Sequence, residues 1–86
     1  MKRFPNKKEA WRNALRILCS WRERHQVIFQ DLGDRIEASM YLTMDDYDDE
    51  EDMMALVDRV KKSIYCKSLG RDVFGEYALF KFPYKG

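Results

Sequence analysis

Between Arg35 and Arg59 the chain has no lysine and no arginine. Inside that gap lies Asp45-Asp46-Tyr47-Asp48-Asp49-Glu50-Glu51-Asp52, in which only Tyr47 lacks a carboxylate. Other scarcities narrow the field. Two cysteines, Cys19 and Cys66, make no disulfide framework. With His25 as the sole histidine, no His/Cys metal-ligand spacing is present. There is no Gly-rich phosphate loop and no nucleophile elbow. No apolar run is long enough for a signal peptide or a membrane span, so a cytoplasmic protein is expected.

Eighty-six residues make a single domain, 1–86, with no room for a second core. Two Trp, five Phe and five Tyr supply the means to close a small core, since each buried ring removes about 150–250 Å² from water. The net charge of +1 hides a strong segregation. Residues 1–25 hold eight bases against Glu9 and Glu23, a balance of +6; residues 26–58 hold Arg35 against eleven acids, −10; residues 59–86 hold seven bases against Asp72 and Glu76, +5. The order is basic, acidic, basic. Residues 1–5 read as a flexible basic N-terminal end.

Asn6 suits a helix N-cap, with Glu9 three residues on. At about 100° per residue, Ala10, Trp11, Ala14, Leu15, Ile17, Leu18 and Trp21 share one arc, and Lys8, Arg12 and Arg16 lie opposite. A helix over 7–24 is predicted. From Arg35 the period becomes two: Ile36, Ala38, Met40 and Leu42 alternate with polar neighbours. Val27-Ile28-Phe29 precedes them, and Leu32-Gly33-Asp34 offers a turn between, so a β-hairpin follows the helix. Met53, Leu56, Val57, Val60 and Ile64 then mark a second helix ending near Cys66, with Gly70 as its stop. A last strand is predicted from Tyr77 to Phe82. A rival reading ends the second helix earlier and pairs 64–69 with 76–82 as another hairpin.

The expected fold is α+β in α-β-β-α-β order. Two amphipathic helices would pack on one face of a three-stranded, mainly antiparallel sheet. Trp11, Leu15, Leu18, Trp21, Ile36, Met40, Leu42, Leu56, Val57, Val60, Ile64 and Phe80 are the expected core. The aromatics of Tyr77-Ala78-Leu79-Phe80-Lys81-Phe82 are expected to serve packing rather than RNA stacking. Glu76 and Leu79 stand where an RNA-recognition strand carries a glycine and an aromatic.

For the acidic run, helix capping explains two or three carboxylates, each stabilised by roughly 0.3–1 kcal/mol at a helix N-terminus. Seven together add like-charge repulsion that capping does not require. As helix, eight residues rise about 12 Å, one charge per ~1.7 Å, close to duplex DNA. As extended chain they approach the phosphate spacing of a single strand. An EF-hand register starting at Asp46 fails, because Glu51 and Val57 occupy the places of its glycine and its twelfth-position glutamate.

The expected function is therefore a non-enzymatic protein-binding regulator or inhibitor, without metal or cofactor. Asp45, Asp46, Tyr47, Asp48, Asp49, Glu50, Glu51 and Asp52 would present a nucleic-acid-mimicking surface to a basic site on a larger protein. Small phage-type inhibitors of nucleases or defence complexes offer the analogy. The alternative is a small nucleic-acid-binding regulator using Lys7, Lys8, Arg12 and Arg16 on the first helix. A third arrangement is a homodimer joining the basic helix of one copy to the acidic run of another.

Overall fold

The computed structural model describes residues 3–42 and 50–85. Helix α1 spans Lys7–Arg22, opened by Asn6, whose side-chain oxygen accepts the Glu9 backbone N–H at 2.9 Å. Strands β1 (Val27–Asp31) and β2 (Arg35–Tyr41) form the expected hairpin. Helix α2 spans Glu50–Lys61. Strands β3 (Cys66–Asp72) and β4 (Gly75–Pro83) close the order α-β-β-α-β-β.

The predicted three-stranded sheet is thus corrected to four antiparallel strands in the order β1-β2-β4-β3. The rival hairpin reading describes the second half. The cause lies just after Lys61. Ser63 N–H donates to Val60 O at 3.1 Å, and Ser63 Oγ accepts the Tyr65 N–H at 3.3 Å. The helix tightens and turns out, a local role that Ser hydroxyls favour. Ile64, expected in the core, is 69% exposed on that turn. Tyr65 carries the packing instead, stacking on Phe82 with centroids 4.9 Å apart and on Phe4 at 5.9 Å.

Alternation sorts the sheet into two faces. Ile36, Ala38 and Met40 of β2 and Ala78, Phe80 and Phe82 of β4 are buried beneath the helices. The aromatics Phe80 and Phe82 are core residues. On α1, Ala10, Ala14 and Leu18 are fully buried while Leu15, expected inside, is 39% exposed. The small alanines of α1 share one core cluster with Ala38 and Ala78, and α1 packs on β2 and β4. Helix α2 buries Leu56 and Val60, and its Arg59 lies over the Trp21 ring at 4.9 Å.

Within the basic end 1–5, Phe4 bridges to Tyr84: its N–H donates to Pro83 O at 2.8 Å and its carbonyl accepts the Lys85 N–H at 2.9 Å. No helix among the described residues is long and apolar enough to cross a membrane.

Candidate protein-binding surface

The chain leaves β2 through Leu42, whose N–H donates to Glu76 O at 2.8 Å. It re-enters described structure at Glu50, the first residue of α2. Asp45, Asp46, Tyr47, Asp48 and Asp49 lie outside the described residues. Glu50, Glu51 and Asp52 open α2, where the helix dipole favours negative charge.

Of the basic residues considered as a polyanion stripe, Lys7 is diverted. Its ammonium sits 2.8 Å from Asp31 Oδ2. Lys8, Arg12 and Arg16 are exposed. Arg12 reaches Glu9 at 3.3 Å, and Arg16 donates to Asn13 Oδ1 at 2.9 Å. Elsewhere Arg35 holds both Asp34 (2.7 Å) and Glu37 (2.8 Å), and Arg71 holds Glu76 at 2.6 Å. The solvent-exposed pairs among these contribute about 0–1 kcal/mol each. Their consequence here is local neutralisation of Asp31, Asp34 and Glu37, three acids that precede the run.

Asp31 is the most connected of these groups. Its Oδ1 accepts the Gly33 N–H at 3.0 Å and the Tyr84 hydroxyl at 2.7 Å. The hydrogen bond from Lys7 comes first, then those from Gly33 and Tyr84, in lowering its pKa from 3.8 to about 2. Asp72 repeats the motif on the opposite sheet face. Its Oδ1 accepts the Phe74 N–H at 2.8 Å and its Oδ2 the Tyr41 hydroxyl at 2.6 Å.

That second node organises a feature that hydrophobic periodicity does not reveal. The β3–β4 loop contains only Val73 and Phe74, 93% and 78% exposed. Behind them, the Phe74 ring stands edge-on to Tyr41 (6.2 Å, 83°) and Tyr41 edge-on to Tyr77 (5.8 Å, 68°). Beside this group a shallow depression of about 390 Å³ is lined by Leu42, Val57, Leu69, Gly70 and Tyr77, with the Arg71–Glu76 pair at its edge. The available signal was Asp72-Val73-Phe74-Gly75: an Asx-turn residue and a glycine bracketing two apolar side chains. Gly75 takes φ 122°, a conformation that side chains other than hydrogen rarely adopt.

His25 is buried, its Nδ1–H donating to Tyr41 O at 3.1 Å, whereas the Cys19 thiol is exposed on α1. Among the described residues no group of three or more His, Cys, Asp and Glu side chains could hold a metal ion. No family model matches the chain, and neither a curated protein nor a solved structure matches it.

Proposed function

We infer that this chain is a non-enzymatic binding protein that offers the carboxylates of residues 45–52 to a basic, nucleic-acid-binding surface on a larger protein, inhibiting or regulating it. The observation that carries the reading is the unbroken absence of Lys and Arg from 36 to 58 around seven acids. Two cations that pair with acids outside the run add support. Lys7 and Arg35 already serve Asp31, Asp34 and Glu37. Charge density near that of a nucleic-acid backbone gives the run a natural counterpart in a groove built for phosphates.

A second reading draws on Lys8, Arg12 and Arg16, exposed at i, i+4, i+8 on α1. In that case the chain binds polyanions itself. One chromatographic comparison separates the two. Under the first reading the protein is retained on an anion exchanger and passes through heparin. A variant with all seven acids amidated (D45N, D46N, D48N, D49N, E50Q, E51Q, D52N) loses the anion-exchange retention. Retention on heparin that disappears in R12A/R16A would replace the first reading with the second.

A further inference from the structure

We propose that the free edge of β1 is a self-association site, where β1 of a second copy of this chain adds antiparallel about a twofold axis and joins the two sheets into one.

The sheet has two edges, and they differ. β3, at one end, is guarded: Lys67 and Arg71 are exposed on it, and its pairing with β4 slips between Cys66 and Ser68. Charges and bulges of this kind keep a sheet edge from recruiting another strand. β1, at the other end, carries neither a bulge nor an unmatched charge. It pairs with β2 in unbroken register from Val27 to Asp31, and its one charged side chain, Asp31, is matched by Lys7 at 2.8 Å. α1 packs on β2 and β4, and no described strand lies outside β1.

Backbone alternation fixes what this edge presents. Gln26 O accepts the Tyr41 N–H and the Leu32 N–H donates to Arg35 O, both at 2.9 Å, so the even-numbered residues bond into the sheet. Val27, Phe29 and Asp31 therefore aim their N–H and C=O groups outward. Apolar side chains border that row. Ile28 and Leu32 are 46% and 39% exposed. On the helix side Trp11 packs against Phe29 with centroids 5.7 Å apart, and the Arg22 guanidinium lies 5.7 Å from the same ring. Leu15, one turn beyond Trp11, shares that side of α1.

Symmetry and charge decide the occupant. In an antiparallel pair centred on Phe29, that residue faces Phe29 of the second copy and Val27 faces its Asp31. Every outward backbone group of both strands is then satisfied, which a shifted register does not achieve. The same orientation brings two oppositely charged ends together. The connection before β1 carries Arg22 and Arg24 against Glu23, +1. The β1–β2 turn carries Asp31, Asp34 and Glu37 against Lys7 and Arg35, −1. Each end of one copy meets the opposite end of the other, and the twofold axis makes that contact twice. A second copy supplies this match by construction.

The test follows the full chain by sedimentation, from micromolar to millimolar concentration, and by residue-resolved amide hydrogen exchange. A dimer should form, and with it exchange at Val27, Phe29 and Asp31 should slow on the order of tenfold or more. Ile28 and Gln30, already bonded to β2, should be protected at every concentration. I28K/L32K changes exposed side chains, so it should keep the wild-type melting temperature at micromolar concentration. It should weaken dimerisation on the order of tenfold or more, by setting like charges across the axis. A chain that stays monomeric, with fast exchange at the three outward amides, overturns the proposal. So does a dimer that I28K/L32K leaves undiminished, or one whose new protection falls in β3. Protection of the β1 amides gained only on adding host lysate assigns the edge to a foreign strand and overturns the second copy as its occupant. The exchange pattern of the wild type decides the matter without any variant.

Discussion

The Tyr84 hydroxyl donates to Asp31 Oδ1 at 2.7 Å while Lys7 holds the other oxygen of the same carboxylate at 2.8 Å. Three segments far apart in sequence meet at this node: the start of α1, the β1–β2 turn and the residue after β4. The native state keeps Asp31 ionised down to about 2, against an ordinary value of 3.8. Its contribution to stability is complete above pH 3.8 and disappears as the pH falls through about 2. In Asp31→Asn, unfolding followed by circular dichroism should show a flatter acid limb between pH 4 and pH 2 than the wild type. An unchanged limb would remove Asp31 from the account of acid sensitivity.

Tyr41 shows the opposite sign. Its hydrogen bond to Asp72, followed by burial and the nearby carboxylate charge, raises its pKa above 10.0. The native state holds the proton where the unfolded chain releases it, so this stability is present below pH 10 and is lost as the pH climbs through the raised value. Tyr41→Phe should weaken the loss of stability above pH 10, read as melting temperature against pH. Tyr84 is raised for the same reason by Asp31, so the double phenylalanine variant should flatten the alkaline limb further.

Gly70 has no room for a methyl group in the present arrangement: a Cβ there would lie 2.7 Å from the Tyr77 ring carbon Cζ and from its hydroxyl. The ring covers the glycine, so the neighbour that must yield is a side chain rather than backbone. Gly70→Ala should cost roughly 1–3 kcal/mol by chemical denaturation, typical of overpacking. In a Tyr77→Ala background the same substitution should cost much less, since the two residues are in contact and their effects do not add. Equal costs in both backgrounds would show that Tyr77 does not cover Gly70.

The end of α2 can be checked by stability alone. Ile64→Ser changes an exposed side chain and should shift stability by no more than about 0.5 kcal/mol. Leu56→Ala, at 2% exposure, should cost about 2–5 kcal/mol. A large penalty at Ile64 would restore a helix running to Cys66.

Much of this architecture was legible because period tracks burial. The alternation from Ile36 to Met40 and the Asn6 cap predicted β2 and α1 to within two residues at each end. The second half was harder. Val60 and Ile64 are four apart and share a helical face on paper, yet Ser63 offers the backbone a competing partner and the chain turns. β3 carries only Cys66 and Leu69 as apolar markers, with Lys67 displaced at an irregularity between Cys66 and Ser68, so no alternation survives to be read. Leu15 misled for a related reason. An arc drawn wide enough to hold both tryptophans also took in Leu15 at its exposed margin, while Ala14 and Leu18, both fully buried, flank the centre. The acidic run was plain in the sequence. The β3–β4 turn was legible only in part: Asp72 and Gly75 mark it locally, whereas the rings of Tyr41 and Tyr77 beside Phe74 come from β2 and β4.

The seam between β2 and β4 has a consequence for synthesis. These strands are neighbours in the sheet but belong to different halves of the chain, and Ile36, Ala38 and Met40 gain their flanking strand only when residues 77–83 arrive. While the ribosome is still extending the second half, the first presents a bare apolar edge of the kind that recruits foreign strands. β4, the fourth of the four described strands to be made, is the one that seals it, so a chain truncated before Tyr77 should aggregate rather than persist as a folded half.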